Sequence, residues 1–380
     1  MKKKIAFITG SRGEYGYIRP FLKLIEKSKE LEYVLACTNM HLLPDFGFSI
    51  NEIKKDGFRV SEEIYMALSG FTNASMSKSL GIFLVSITDF IYREKPDFIL
   101  LAGDRGEQLM AAIAGFHMNI LVAHIQAGEI SGNVDGMTRH AITRYSHLHF
   151  ASNRDSANRL IKMGEERFRV KLVGAPQLDE FLQGKYVSRE NIYREFSLDS
   201  EKPIILMTQH PVTEESADAG QQVKITLEAV RKLQYQTVIV YPNDDAGSVA
   251  IQLEIDKYRM PFVKVKRNLR REVYTGLMRA ASVIVGNSSS GIIEAPFFEL
   301  PAVNIGSRQR GRYCGRNVIH VGHDAAQIAK AIEKAVSIKF RNSLKGMKNP
   351  YGDGKSSERI LKILTETSID SRLMKKNVTY

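Results

Sequence analysis

The sequence contains no tryptophan and only two cysteines, Cys37 and Cys314. Neither cysteine lies in a CxxC motif or beside a histidine at a metal-binding spacing, which argues against a zinc site. So few cysteines are compatible with a reducing compartment. Aromatic residues make up 9% of the chain, and no tract interleaves them with arginine. The stacking surfaces of proteins that bind single-stranded nucleic acid are therefore not indicated.

A long hydrophobic run is also missing. The longest apolar stretch, residues 109–125, is interrupted by His117, Asn119 and His124, and it is too short and polar to span a membrane. The first residues, MKKKIAFITG, lack the long apolar core and cleavage site of a signal peptide. We therefore expect a cytoplasmic protein with no membrane partner.

The chain of 380 residues is basic, with a net charge of +12. This charge favours anionic partners such as nucleic acid, anionic lipid or phosphorylated metabolites, and it also favours solubility. Hydrophobic residues make up 43% and charged residues 25%, which are values typical of globular domains. The length suggests two or three such domains.

Short runs of Ile, Val, Leu and Phe alternate with amphipathic segments along the chain. This alternation predicts an α/β fold with parallel sheets covered by helices on both faces. The predicted strands are residues 4–9, 33–38, 98–102, 120–125, 170–173, 203–209, 237–241, 262–265, 282–285, 302–305 and 318–321.

The alternation pauses over residues 177–201, which are polar and helical. We therefore predict two Rossmann-like, doubly wound domains, residues 1–176 and 177–355, with a final helix near 356–380 that packs back on the first. Ligands of such sheets bind beyond the carboxyl ends of the strands. Two domains that face each other would form a cleft there.

Charged residues follow the predicted strands of the first domain. Asp104 and Arg105 come directly after residues 98–102, and they suit a general base and a phosphate ligand. Asp104 is equally well placed to cap the next helix. Asp135 and Arg139 are spaced to pair on one helix, but together with Asp104 and Glu129 they also suggest a site. The motif His147-x-His149 resembles a metal pair without a third ligand, so a structural role is favoured.

The motif GNSSSG, residues 286–291, follows a predicted strand of the second domain. Its serines and free N–H groups at a helix start suit an anion such as a diphosphate. Glu294 lies farther along the same predicted helix and suits the two hydroxyls of a ribose. A serine-rich helix cap is the alternative interpretation.

In combination, the motifs resemble the hydrolysing UDP-N-acetylglucosamine 2-epimerases of the sialic-acid and legionaminic-acid pathways. The matching stretches are GSRGEYG, GDRGE, HIQAGEISGNVDGMTRHAIT, QHPVT, YPNDDAGS, GNSSSGIIEAP and NIGSRQRGR, in family order. The resemblance implies a fold like the B-type glycosyltransferases, no metal and no nicotinamide cofactor. It implies loss of the C2 proton with expulsion of UDP, and then addition of water to a 2-acetamidoglucal to give a free manno sugar.

The resemblance also assigns residues. Its catalytic candidates are Asp104, Asp135, Arg139, Gln126, Glu129 and His41. Its candidates for binding the substrate or nucleotide are Arg12, Arg105, His210, Asn243, Leu269, Ser288, Ser289, Glu294 and Arg308.

One departure from the family pattern matters most, besides Gly16, which replaces a hydroxyl residue that some relatives have in the first loop. Many members have glutamate in HIEGGE, where this chain has Gln126 in HIQAGE. A glutamine side chain does not exchange a proton at neutral pH. Either a neighbouring group takes over the proton transfer, or this chain belongs to a subgroup that acts on a different sugar.

Two alternative functions stay open. One is a non-hydrolysing epimerase that returns an intact UDP-sugar, and the other is a catalytically silent UDP-sugar sensor, for which Gln126 is the support. A glycosyltransferase would leave the acids and arginine of the first domain without a purpose, and a nucleic-acid binder rests on net charge alone. The expected partners are a UDP-sugar and further copies of the chain in a homodimer or homotetramer.

Overall fold

The computed structural model describes residues 2–44, 47–68, 73–130, 134–184, 186–242 and 247–379. For Asn73, Val134 and Asp135 the description covers the backbone alone. The chain divides into two compact units, of which the first comprises Met1–Glu129, Asp135–Asp179 and Gly354–Tyr380 and the second comprises Ile130–Val134 and Glu180–Asp353.

The chain leaves the first unit after Asp179, a few residues beyond the predicted boundary at 176. The Asp179 carboxylate accepts hydrogen bonds from the backbone N–H groups of Ser356 (3.0 Å) and Ser357 (2.6 Å). It thereby satisfies free donors at the start of the helix that begins at Ser356. This cap links the end of the segment Asp135–Asp179 to the start of the segment Gly354–Tyr380, and both segments belong to the first unit.

The first unit contains one sheet of seven parallel strands. They are β1 (Lys3–Thr9), β2 (Leu31–Thr38), β3 (Glu62–Ile64), β4 (Phe98–Ala102), β5 (Leu121–Ile125), β6 (Leu148–Ala151) and β7 (Val170–Leu172). Their spatial order is β3-β2-β1-β4-β5-β6-β7. The helices assigned with them are α1 (Arg12–Ile25), α2 (Ile50–Lys55), α3 (Asn73–Glu94), α4 (Gly106–His117), α5 (Val134–Tyr145) and α6 (Arg154–Lys162).

Alternate residues of the central strands enter two separate cores, because successive side chains of a strand point to opposite faces. Phe7 of β1 packs in a core with α1 and with a helix near the end of the chain, through residues such as Phe21 and Ile360. Ile8 points to the other face and packs with Phe83 of α3. Helices thus cover both faces of the sheet.

The second unit repeats this architecture with six parallel strands. They are β8 (Ile204–Thr208), β9 (Gln236–Val240), β10 (Val263–Lys266), β11 (Val283–Gly286), β12 (Ala302–Ile305) and β13 (Val318–Val321), in the order β10-β9-β8-β11-β12-β13. The remaining helices are α7 (Asp179–Leu182), α8 (Arg189–Phe196), α9 (Ala219–Leu233), α10 (Ser248–Lys257), α11 (Arg271–Ala280), α12 (Ser290–Ile293), α13 (Ala325–Val336), α14 (Ile338–Leu344), α15 (Ser356–Glu366) and α16 (Ser371–Met374), of which the last two belong to the first unit.

Each predicted strand is present, and no bound differs by more than two residues from the prediction. Two further strands, β3 and β6, were not predicted. Only Ile64 of β3 is buried, and β6 carries His149 between apolar residues. Neither strand has the continuous apolar run on which the sequence prediction relied.

Both sheets have the strand order at which a ligand crevice forms in doubly wound folds. The order reverses between β1 and β4 in the first unit and between β8 and β11 in the second. The loops that follow these four strands are therefore adjacent in pairs at the carboxyl edge of each sheet.

By length and composition, residues Ala74–Glu94 of α3 would suffice to cross a membrane, and 28% of the most apolar 18-residue window within them is buried. A single helix of this kind is weak evidence, because helices in the cores of globular domains meet the same criterion. Its buried side includes Phe83, Ile87 and Phe90 on the sheet.

Candidate active site

At the reversal point of the first sheet, a buried side chain bridges the two paired strands β1 and β4. The Gln108 amide donates to the carbonyl of Ile8 in β1 (3.1 Å) and accepts from the backbone N–H of Ala102 in β4 (3.2 Å). It therefore fixes the ends of both strands against each other. The loops carrying Arg12 and Asp104 start from this point.

Asp104 lies at the end of β4 and forms an ion pair with Arg139 of α5. Its side chain is 21% exposed, whereas that of Arg139 is 3% exposed. The residue that caps α4 is Arg105 and not Asp104. The capping alternative for Asp104 is thus wrong, and its carboxylate is directed to the arginine.

Arg139 joins two of the loops that follow strands. One of its terminal nitrogens donates to Asp104, and the other donates to the backbone carbonyl of Gln126 at 3.0 Å. Asp135 lies in the first turn of α5, but its side chain is outside the described part of the structure. Arg139 thus connects the loops that follow β4 and β5. The pairing of Arg139 with Asp135, which their spacing suggested, concerns a side chain outside the described part of the structure.

Gln126 adopts a strained backbone conformation directly after β5. Its φ is +61°, in the left-handed region that residues other than glycine rarely occupy. The side chain is 1% exposed, and its amide nitrogen has no hydrogen-bond partner among the described residues. A buried donor without a partner is costly, and such donors occur at sites where a ligand supplies the acceptor.

The Glu129 carboxylate stabilises the loop that follows β5. It accepts hydrogen bonds from the Asn153 amide (2.8 Å) and the Ser156 hydroxyl (2.9 Å), both at the start of α6. The neighbouring Gly128 has φ +76°, and a Cβ there would lie 2.5 Å from the carbonyl oxygen of Ser156. The carboxylate therefore anchors the loop to α6, which favours a bracing role for Glu129 over proton transfer.

His41 is buried between the loops that follow β1 and β2. Its ring nitrogens contact the hydroxyls of Thr9 (2.9 Å) and Ser49 (2.7 Å), and burial lowers its pKa to about 4. The ring is therefore uncharged at neutral pH and orders the loops. Arg12, at the start of α1, is exposed and paired with Glu52 at 3.1 Å.

Two buried acids at this edge were missed by the sequence analysis. Glu14 accepts from the backbone N–H groups of Gly10 (2.6 Å) and Ser11 (3.1 Å), and the Arg105 guanidinium lies 3.4 Å from Glu107. Burial, followed by the charge of Glu107, raises the pKa of Glu14 well above its ordinary value. The spacing Ser-x-x-Glu from Ser11 to Glu14 is a capping-box signal that would have revealed the first of them.

The two histidines of the HxH motif have structural roles. The His147 ring accepts a hydrogen bond from the backbone N–H of Val122 at 3.0 Å. His149 lies 2.8 Å from a Glu165 oxygen, and both side chains are fully buried.

In the second unit, Asn287 connects the loops at the reversal point. Its amide accepts from the His210 N–H (2.7 Å) and donates to the His210 carbonyl (2.8 Å). Gly286 before it has φ +126°, and a Cβ there would collide with the Thr208 carbonyl at 2.0 Å. Arg308 donates to the Asn287 carbonyl at 3.2 Å. His210, Arg308 and the serines after Asn287 are thus gathered at one edge.

The helix after GNSSSG is shorter than predicted. α12 contains one turn and ends at Ile293, so Glu294 follows the helix instead of lying within it. Ser289 precedes α12, but its side chain makes no capping hydrogen bond. A helix of one turn has only a small dipole, so an anion here would depend on the serines and on Arg308.

Glu294 is 6% exposed and has one oxygen still available. Arg271 donates to its Oε1 at 2.6 Å, while its Oε2 is buried and has no partner among the described residues. A ligand hydroxyl could supply that partner. Leu269 is half-buried in the loop before α11, and Asn243 lies outside the described residues.

The comparisons with known proteins agree with this architecture. Residues 23–365 match the family described as UDP-N-acetylglucosamine 2-epimerase. The chain is 38% identical to the UDP-N,N'-diacetylbacillosamine 2-epimerase (hydrolyzing) of Legionella pneumophila, over 100% of both chains. It is 31% identical to the GDP/UDP-N,N'-diacetylbacillosamine 2-epimerase (hydrolyzing) of Campylobacter jejuni, over 90% of both.

Among solved structures, the UDP-GlcNAc 2-epimerase of Neisseria meningitidis bound to UDP-GlcNAc is similar in fold, with a TM-score of 0.82 and 20% identity. The similarity covers 96% of this chain and 100% of that one. The chain therefore belongs to the UDP-N-acetylglucosamine 2-epimerase family and is an enzyme of its hydrolysing kind.

Proposed function

We propose that this enzyme removes UDP from a UDP-2-acetamido sugar by elimination and then hydrates the resulting 2-acetamidoglucal. The released product is a free manno sugar, either N-acetylmannosamine or its 2,4-diacetamido-2,4,6-trideoxy analogue, for nonulosonic acid biosynthesis. The observation that carries this proposal is the contact of Arg139 with both the Asp104 carboxylate and the Gln126 carbonyl. This contact holds the partly exposed Asp104 carboxylate at the carboxyl edge of the sheet, where doubly wound folds bind ligands.

In this proposal Asp104 takes the C2 proton of the sugar. The electron pair of the C2–H bond forms the C1=C2 double bond, and the C1–O bond to UDP breaks. Arg139 keeps the Asp104 carboxylate in place through their ion pair. Water then adds its hydroxyl to C1, and a proton is delivered to C2.

Inversion at C2 requires that this proton arrive on the face opposite to the one it left. A second group is therefore needed, and we propose Asp135, since Glu129 is engaged by α6. Gln126 positions the sugar or the water through its free amide. The amide can donate and accept a hydrogen bond but takes no part in proton transfer.

We assign the nucleotide to the edge of the second unit. Ser288, Ser289 and Arg308 would hold the diphosphate and stabilise the charge that develops on the leaving group. Glu294 would accept hydrogen bonds from the ribose through its free oxygen. His210, Leu269, Arg105, Arg12 and Asn243 are the remaining proposed contacts of the substrate.

Replacement of Glu294 by alanine should weaken UDP binding by about 1–3 kcal/mol, because hydrogen bonds to a charged group are lost. Isothermal titration calorimetry with UDP measures this effect. The control is Glu254→Ala in α10, which also removes a carboxylate from an ion pair, in that case with Lys257. Equal UDP affinities for the folded Glu294→Ala variant and the control would contradict the assignment.

The relatives in Legionella and Campylobacter support the diacetamido-trideoxy sugar as the substrate, since both are named for diacetylbacillosamine. Other relatives, such as the one in Neisseria meningitidis, are named for UDP-N-acetylglucosamine. Incubation with each UDP-sugar in turn, followed by NMR of the products, distinguishes the two. Binding of a UDP-sugar without turnover of either would favour the silent sensor.

In D2O the free sugar should carry deuterium at C2, because the proton that returns to C2 comes from the solvent. UDP should appear in equal amount, and both are measured by NMR and mass spectrometry. UDP-sugar recovered before the reaction is complete should carry no deuterium at C2, if every elimination is followed by release of UDP and the free sugar. An intact UDP-manno sugar as the sole product would instead indicate the non-hydrolysing reaction.

We further propose a homodimer or homotetramer in the cytoplasm. The outer side of α3 exposes Val85 (68%), Tyr92 (73%) and Ile82 (38%), an apolar surface that a second copy could cover. Cys37 and Cys314 are both free thiols, a state that the cytoplasm would preserve.

A further inference from the structure

The segment of residues 370–379, which contains α16, is attached to the first unit through a buried arginine. The Arg169 side chain is fully buried and donates to the carbonyls of Leu373 (2.8 Å), Arg372 (3.0 Å) and Lys375 (2.8 Å). The backbone N–H of Thr379 donates to the Gly164 carbonyl at 2.8 Å. The 370–379 segment therefore has one fixed path over the unit.

This path places the Lys376 ammonium at the end of α5. Its side chain is 5% exposed, and its nitrogen donates to the carbonyls of Thr143 (2.6 Å), Arg144 (3.0 Å) and Ser146 (2.7 Å). The last carbonyls of a helix lack partners within the helix and carry its negative dipole end. Lys376 supplies both the missing donors and the opposite charge.

The other charged groups around Lys376 lie on three elements of the unit. Glu165, after α6, lies 2.9 Å from the ammonium and also contacts His149 of β6 and Arg144 of α5. Arg169 is a second cation nearby. Burial lowers the pKa of Lys376 to about 8, while the charge of Glu165 acts in the opposite direction. A charge so well enclosed persists only because it is paired and hydrogen-bonded.

The helix that Lys376 caps is the helix that carries Arg139. Arg139 lies near the middle of α5, and its contacts with Asp104 and the Gln126 carbonyl depend on where that helix sits. A displacement of the helix end would move the guanidinium away from one or both of them. Catalysis is sensitive to such shifts, since a misplacement of about 1 Å can cost about a hundredfold in rate.

We propose that Lys376 is a positioning residue for the elimination reaction, which fixes the end of α5 so that Arg139 stays on Asp104. This inference rests on the proposed function of Asp104 and Arg139. It gives the 370–379 segment a role in turnover, although the segment contains none of the residues assigned to the substrate.

The structure offers a matched control for this role. Lys3 of β1 donates in the same way to the carbonyls of Leu364 (3.0 Å), Thr365 (2.6 Å) and Thr367 (2.8 Å) at the end of α15. That helix carries no residue assigned to the site. Lys3→Met and Lys376→Met therefore each remove a lysine cap from a helix end, and only the helix capped by Lys376 leads to the site. Lys376→Met also removes the ion pair with the buried Glu165, so it should cost more stability than Lys3→Met.

Both variants should lower the urea midpoint of unfolding. Only Lys376→Met should lower kcat, by about tenfold to a hundredfold with KM changed less than about twofold, because the ground-state contacts of the nucleotide are untouched. Hydrogen–deuterium exchange should increase in residues 136–145 for Lys376→Met and stay unchanged for Lys3→Met. If Lys376→Met does not fold, Lys376→Gln replaces it, since it keeps N–H donors without the charge.

The proposal is overturned if the two variants lower kcat equally, if Lys376→Met leaves kcat unchanged, or if exchange in 136–145 does not increase. A wild-type enzyme that turns over no UDP-sugar would refute the proposed function separately. In that case the exchange measurement still decides whether Lys376 fixes α5.

Discussion

Replacement of Asp104 by asparagine should lower turnover by about 10²-fold or more, the usual contribution of a general base. Asparagine has nearly the same shape, so the β4 loop should keep its path. Its amide has no basic oxygen that can take up the C2 proton, and it does not form an ion pair with Arg139. Steady-state kinetics of UDP release measures the loss, and calorimetry with UDP should show unchanged binding, since the nucleotide is assigned to the second unit.

The matched comparison is Gln126→Ala. It removes a buried amide that has no partner among the described residues, so it removes positioning and no proton transfer. Its effect should be smaller than that of Asp104→Asn, and smaller than that of Asp135→Asn, for which we also expect a loss of about 10²-fold. If Asp135→Asn turned over normally while Glu129→Gln were inactive, the second proton role would belong to Glu129.

Lowering the pH from 7 to 5 should strongly destabilise the first unit. Burial lowers the pKa of His41, His147 and His149 to about 4 and that of His124 to about 3. These rings stay neutral in the folded protein at pH 5, whereas the unfolded chain binds protons below about pH 6.5. Their contribution to stability is therefore complete above pH 6.5 and is lost as the pH falls toward 4.

The expected loss is about 1–2 kcal/mol for each histidine between pH 7 and pH 5, from proton linkage. The sum is comparable with the whole stability of a typical domain of about 5–15 kcal/mol. Glu14 acts in the opposite direction, because its raised pKa makes the folded state bind a proton more readily than the unfolded chain. Asp179 acts in the same direction as Glu14, because burial raises its pKa too. Two carboxyls offset only part of the effect of four histidines.

Urea unfolding at pH 7, 6 and 5, followed by hydrogen exchange in each unit, tests this prediction. His124 contacts the Gly103 carbonyl at 2.8 Å, and His124→Gln keeps an N–H donor there without a titrating ring. In this variant the free energy of unfolding should depend less on pH, by the contribution of one histidine. A pH dependence equal to that of the wild type would show that His124 does not contribute.

The sequence by itself determined the class of fold and most strands. Strands of a doubly wound sheet are buried on both faces, so they appear as continuous apolar runs between amphipathic helices. Two strands that lack such runs were missed by the sequence analysis. The strand β3 lies at the edge of the sheet, and β6 carries the buried, hydrogen-bonded His149. The motifs after the strands were also visible, because a loop sequence is local.

The tertiary structure decided which of these loops meet. Strand order brings the end of β1 beside that of β4 although they are about ninety residues apart, and no local pattern encodes that neighbourhood. The same holds for Glu107 beside Gly10, for Asn287 between two loops, and for Lys376 at the end of α5. These contacts join distant segments, and their geometry exists only once the sheets have formed.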